Sequence, residues 1–246
     1  RAMRAKKHVL IEKPMAIKTE EVKTLIEEAS KNNVKIMEGF MYAFHPQFDR
    51  IMNTIKSNIL GDINYAHSMF SFPIQPARFY RINRSIENGG GALWDIGPYA
   101  IHTLRQCFKE NPIRVKAIAK LNEHGADIST TGLIDFGNSK RATFDIGFEC
   151  TRRSEFEAFG PLGRVKCPTV WQPEDKQAKI IINTESSGLT EEVVPAANHF
   201  ILEINHFNNI ISSDKTPKLT NEDALWNVKA LEGIQESVQK DSWVML

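Results

Sequence analysis

The sequence predicts an α/β protein in which a short parallel layer is followed by a large, mostly antiparallel sheet carrying several helices. Three patterns predict it. The opening alternates an apolar burst, an amphipathic stretch and a second burst; the middle is a series of short alternating segments divided by turn residues; the end returns to helical periodicity.

Val9 to Ile11 form the first apolar run, and Pro14 biases Lys13 toward an extended backbone, so a strand should stop there. Thr19 is placed to cap the next helix, with Glu20 and Glu21 in its first turn and Val22, Leu25, Ile26 and Ala29 as the buried stripe. Val34 to Met37 read as a second strand. A helix is expected over Phe44 to Leu60, stopping at Gly61, then a strand over Ile63 to Phe72. A loop rich in Pro, Arg and Asn leads to Gly89, Gly90 and Gly91, and Ala92 to Phe108 has helical periodicity. Strands follow over Val115 to Leu121, Ser129 to Phe136, Lys140 to Phe148, Glu155 to Phe159, Ile180 to Thr184 and Thr190 to Val194, with turns at Gly125 and Gly137-Asn138. His199 to Ile211 suit a helix, and Thr220 with Asp223 opens a last one, in capping-box spacing, that runs through Val238.

Across 246 residues, 41% hydrophobic and 25% charged content describe an ordinary globular chain. Thirty-one basic against thirty acidic residues leave a net charge of +1, so no global field draws nucleic acid or an anionic membrane. No apolar run is long enough to span a bilayer. Cys107, Cys150 and Cys167 lack CxxC spacing, which argues against a disulfide framework and for a reducing, cytoplasmic setting. The histidines are scattered and no HExxH occurs, so no metal site is expected. GxSxG and GxGxxG are also absent, and Gly160 with Gly163 is only a partial match between strands. The opening RAMRAKKHVLIEKP has no signal-peptide pattern and reads as the middle of an α/β unit, with the cofactor-gripping turn expected before residue 1.

Several groups can carry chemistry. Lys13 stands at a strand end, where open parallel sheets bind ligands. Within GGGALWDIGPYAIH, Asp95, Tyr99 and His102 are spaced i, i+4 and i+7, so one helix would present all three on a single face. Pro98 offers a second arrangement, marking a helix start with Asp95 just outside it and Tyr99 in the first turn. Such a face suits hydride transfer: Tyr99 would relay the hydroxyl proton if Lys13 lowered its pKa, and Asp95 would fix a hydroxyl or orient the acid-base group. His45, in EGFMYAFHP beside Glu38, can bind a hydroxyl or phosphate. Arg78, Tyr80, Arg81 and Arg84 form a basic-aromatic loop able to close over a polar ligand. Each has an ordinary alternative that the residues alone leave open: a surface lysine, a core tyrosine, a surface His102, a structural His45 and a solvated loop.

At HVLIEKP (8 to 14), EGFMYAFHPQ (38 to 47) and GGGALWDIGPYAIH (89 to 102), in that order, the chain resembles the glucose-fructose oxidoreductase, inositol dehydrogenase and trehalose-utilisation oxidoreductase family. It is most similar to the aldose (xylose) dehydrogenase and dimeric dihydrodiol dehydrogenase branch, and the likeness covers nearly the whole chain. The resemblance implies the C-terminal part of a Rossmann domain over residues 1–37. Over 38–246 it implies a substrate and dimerisation α/β domain with an open sheet, whose terminal helix packs back on the Rossmann part. It implies NAD or NADP as cofactor, with Glu12, Lys13 and Pro14 shaping its cleft, and Lys13, Tyr99 and Asp95 as catalytic residues. His102, Arg78 and His45 then fall to substrate binding, and a homodimer or homotetramer forms through the sheet. The substrate is a sugar, polyol or dihydrodiol. Ala43 stands where the related FMYRFHP pattern carries Arg. The competing readings are a sugar or nucleotide sensor without catalysis, hydrolysis or elimination with internal NAD cycling, and a purely structural dimerisation module.

Overall fold

The apolar burst before Lys13 forms β1 (Val9–Glu12), and the amphipathic stretch after it forms α1 (Thr19–Asn32). The structure is a computed structural model describing residues 1–171, 173, 177–213 and 215–246. Thr19 does not cap α1. Lys18 holds the cap position without a side-chain bond, while the Thr19 backbone N–H donates to Glu232 at 2.7 Å and its hydroxyl to the same carboxylate. A distant carboxylate has thus taken the role expected of a local side chain. β2 (Ile36–Gly39) lies parallel to β1, with Val9 opposite Ile36 and Glu12 opposite Gly39, so both strands end at the same side of the molecule.

The helix expected over Phe44 to Leu60 divides into a 3-10 turn at Met41–Phe44 and α2 (Pro46–Lys56). Pro46 disfavours helical geometry at His45, which is extended (φ −71°, ψ 138°), and α2 begins on the proline. β3 (Tyr65–Ser71) is followed by two short 3-10 turns, Pro76–Arg81 and Ile86–Asn88. The expected helix over Ala92 to Phe108 is also two: α3 (Ala92–Asp95) and α4 (Gly97–Phe108), broken at Ile96. Pro98 has no N–H to continue the ladder, so the alternative of a fresh helix start is the one that forms.

β4 (Arg114–Leu121), β5 (Asp127–Gly137), β6 (Lys140–Gly147), β7 (Arg153–Gly160), β8 (Gly163–Cys167), β9 (Ala178–Thr184) and β10 (Gly188–Val194) follow. Then come α5 (His199–Ser213), α6 (Asn221–Lys240), whose Thr220–Asp223 capping box is formed, and β11 (Val244–Met245). β8 and β11 were not read from the sequence. Gly160 and Gly163 face each other as the ends of a tight β7–β8 hairpin and have no phosphate-binding geometry.

The large sheet runs β10-β9-β8-β7-β3-β6-β5-β4-β11, antiparallel except where β3 meets β6. Alternation along β3 turns Ala66, Ser68 and Phe70 toward the helices and Tyr65, His67 and Met69 outward. Ile101 and Leu104 of α4 and Val228, Leu231 and Ile234 of α6 join Phe144, Ile146 and Phe156 in one continuous core. α6 also packs on α1, through the Thr19–Glu232 bonds. No helix among the described residues is long and apolar enough to cross a membrane.

Candidate active site

Lys13 leaves the carboxyl end of β1 through a cis bond to Pro14, and its side chain turns into the protein, 11% exposed. Its ammonium donates to the Asp95 backbone carbonyl, lies 3.5 Å from Asp95 Oδ1, and sits 4.8 Å from the centre of the Tyr99 ring. The Arg81 guanidinium pairs with the same Asp95 carboxylate. Burial, reinforced by the positive field of Arg81, lowers Lys13 to about 8, against the pull of Glu12 and Glu38.

Two glycines bring the Asp95 segment into place. Gly91 has φ +91°, and a Cβ there would run into the Asp127 carboxylate; a Cβ on Gly90 would overlap the Arg84 carbonyl. Asp127 accepts from the Leu93 backbone N–H at 2.8 Å and from the Thr130 hydroxyl at 2.7 Å, anchoring the start of α3. Burial raises this carboxyl to about 6. The break at Ile96 then separates Asp95 from Tyr99, so the expected single helical face does not exist; the two meet because α4 restarts beside the end of α3.

Tyr99 is 7% exposed, its ring edge-on to Phe40, Phe70 and Tyr42 at 5.7, 5.8 and 5.9 Å. Its hydroxyl points to Met41 Sδ at 3.6 Å. Lys13 was expected to lower this phenol. Instead burial, followed by the fields of Glu12 and Glu203, pushes it above the ordinary tyrosine value, with Arg81 only partly opposing. Tyr99 therefore keeps its proton, whereas burial moves Lys13, Glu38 and Glu203 toward neutrality.

Glu12, Lys13, Asp95 and Tyr99 line a cavity of about 500 Å³ with an aromatic wall of Phe70, Phe72 and Trp94. Arg78 and Tyr80 line it too, Arg78 lying over Phe72 at 5.9 Å. Two candidates fall elsewhere. His102 is a buried structural histidine: Tyr42 Oη is 2.6 Å from its Nδ1, its ring stacks on Phe40 at 4.4 Å, and burial lowers it to about 3. It lies one turn beyond Tyr99 on the same helix, deeper in the core behind the Phe40 and Tyr42 rings. His45 caps α2 through Nδ1, accepting from Gln47 N–H at 3.2 Å, and is fully buried; burial and neighbouring His199 lower its pKa. Ala43 is buried in the preceding 3-10 turn and offers no polar group.

Glu203 of α5 and Asp127 were not singled out from the sequence. Glu203 Oε1 is buried with no hydrogen-bond partner among the described residues and lies 3.7 Å from where a Cβ on Gly39 would be; burial and Glu12 raise it to about 7. Its one sequence signal is a carboxylate inside the apolar stretch HFILEINHF. Glu38 accepts from the Met15 N–H at 2.7 Å, fixing the turn after Pro14, and burial raises it to about 7. The carboxyl ends of two parallel strands, a buried ammonium and an acceptor awaiting a donor suit the nicotinamide end of a dinucleotide. Among the described residues no group of three His, Cys, Asp or Glu could hold a metal.

Two family descriptions match the chain: "Oxidoreductase family, NAD-binding Rossmann fold" over residues 1–40 and "GFO/IDH/MocA C-terminal domain" over residues 48–166. An uncharacterised oxidoreductase of Rhizobium meliloti is 30% identical over 99% of this chain and 74% of its own length. A trans-1,2-dihydrobenzene-1,2-diol dehydrogenase of Xenopus laevis is 30% identical over 72% of this chain and 52% of its own length. Among solved structures, a 3-ketoreductase from Actinomadura kijaniata in complex with NADP and TDP-benzene superposes with a TM-score of 0.87. It is 26% identical, covering 96% of this chain and 73% of that one.

Proposed function

We propose, for a chain that belongs to the GFO/IDH/MocA family of NAD(P)-binding oxidoreductases, that it moves a hydride between nicotinamide and the hydroxyl or carbonyl carbon of a sugar, polyol or dihydrodiol. The observation that carries this reading is the convergence of Lys13, Asp95 and Tyr99 on one cavity at the carboxyl end of a parallel strand. The dehydrogenase relative supports the substrate class.

Bound nicotinamide supplies the two-electron acceptor or donor. Asp95, held by Lys13 and Arg81, orients a substrate hydroxyl. In oxidation, the carbon loses a hydride while the hydroxyl proton passes, through or beside the Tyr99 hydroxyl, to a neutral Lys13. In reduction, Tyr99 gives its proton to the carbonyl oxygen and the Lys13 ammonium restores it. Glu12 and Pro14 shape the nicotinamide end and Arg78 the substrate end. Residues 1–37 serve the cofactor, and residues 38–246 serve the substrate and a homodimer or homotetramer built on the outward face of the sheet, in the cytoplasm.

The test is reduced-nicotinamide absorbance with the full-length protein, screening aldoses, polyols and dihydrodiols with NAD and NADP. Substrate-dependent reduction is expected. A folded protein that binds cofactor and substrate without reducing it would refute dehydrogenation.

A further inference from the structure

The cavity wall facing Lys13 and Tyr99 is built from the loop that carries Arg78, Tyr80, Arg81 and Arg84. Arg81 is committed to Asp95. Among the described residues, neither Arg78 nor Arg84 has a carboxylate within ion-pair distance: Arg78 rests on the Phe72 ring, and both residues are exposed and line the cavity.

Sugar hydroxyls both donate and accept, so a neutral sugar is matched by a mixture of accepting and donating side chains. Among the described residues this cavity offers few accepting side chains. No Asn, Gln, Ser, Thr or His among the described residues lines it, and the two carboxylates there are Glu12, at the strand end, and Asp95, already held by two cations. Donors dominate: one ammonium and three guanidiniums against those two acids. An unpaired guanidinium, with its planar fork of N–H groups, matches a carboxylate or phosphate better than an alcohol. A cavity of about 500 Å³ also has the size of a small-molecule site.

We propose that the substrate is an anionic sugar derivative whose carboxylate or phosphate lies against Arg78 and Arg84 while its reacting hydroxyl lies at Tyr99. This rests on the oxidoreductase reading above and narrows its substrate. No group is transferred at the arginines; they bind and orient.

The experiment uses full-length protein with its preferred cofactor and matched sets: a neutral aldose, the corresponding uronic and aldonic acids, and the corresponding sugar phosphates. Binding is read by calorimetry and turnover by cofactor absorbance, in wild type, Arg78→Ala and Arg84→Ala. The anionic members should bind about tenfold or more tightly than the neutral one, and the advantage should shrink as salt is raised. Either substitution should raise KM for the anionic substrate by about tenfold and leave the cofactor KM unchanged. Preference within the set distinguishes carboxylate from phosphate. Equal binding of neutral and anionic sugars would overturn the proposal. So would arginine substitutions that weaken the cofactor and spare the substrate. Selective binding of anions without turnover would support it while refuting hydride transfer, so the two readings fail separately.

Discussion

On the outward face of the large sheet, carboxylates meet partners that solvent still reaches: Arg153 with Asp145 at 2.5 Å and Lys166 with Glu155 at 2.9 Å, both half-buried, and Lys120 with Glu149 at 2.6 Å, exposed. At the carboxyl ends of β1 and β2 the charges are buried instead. Glu38 and Glu203 rise to about 7, and Lys13 falls to about 8. Water reaches and screens these pairs, and each contributes little to stability. The buried groups have been moved toward neutrality by desolvation, where a proton can be exchanged in either direction. The first region keeps a sheet face polar; the second spends stability on reactivity.

Replacing Lys13 by Met should show the contrast most sharply. Turnover should fall by about a thousandfold, while the melting temperature stays the same or rises, because a desolvated charge is removed. Steady-state kinetics beside calorimetric melting checks both. The converse variant lies in the sheet core: Phe136, 2% exposed and 4.6 Å from the Phe108 ring centre. Phe136→Ala should lose about 3–5 kcal/mol of stability and leave kcat of the folded protein unchanged; a matching loss of kcat would blur the division.

Tyr99→Phe should cost about a hundredfold in turnover with little change in denaturant midpoint, since the ring keeps its contacts with Phe40, Phe70 and Tyr42. Parallel losses of folding and turnover would mark Tyr99 as a packing residue. The smallest effect is expected from Glu203→Gln. A carboxyl whose folded value lies above its unfolded one keeps a proton the unfolded chain has released, so its stabilising contribution is full at acid pH and is lost as pH rises from its ordinary value to about 7. The variant should flatten that decline and be more stable than wild type above pH 7 by on the order of 1 kcal/mol, read from urea melts across the pH range. An unchanged slope would show that Glu203 is not desolvated in solution.

The same division governs what the sequence made legible. β1 and β2 follow from short apolar runs and most strands of the large sheet from alternation, and Lys13, Asp95 and Tyr99 from their places in two recognisable motifs. The breaks at His45 and Ile96 were less visible, because apolar periodicity continues across Pro46 and Pro98 while the backbone does not. The restart that Pro98 allowed sets Tyr99 beside the end of α3, and His102, one turn further along α4, lies in the core. β8 escaped notice because GRVKC is short and carries two charges. Asp127 acts on the Leu93 N–H and Glu203 lies where a side chain at Gly39 would reach, both from far along the chain, and no local pattern marks a carboxylate that tertiary packing will desolvate.

The central claim is that Lys13, Asp95 and Tyr99 serve a hydride transfer, and isotope transfer tests it most directly. Full-length protein would be incubated with a carbon-deuterated form of its best substrate and oxidised cofactor, and both products read by mass spectrometry. Hydride transfer predicts one deuterium on the reduced nicotinamide, lost from the carbon that becomes carbonyl. Substrate converted with no deuterium on the released cofactor, or bound and recovered unchanged, would contradict it.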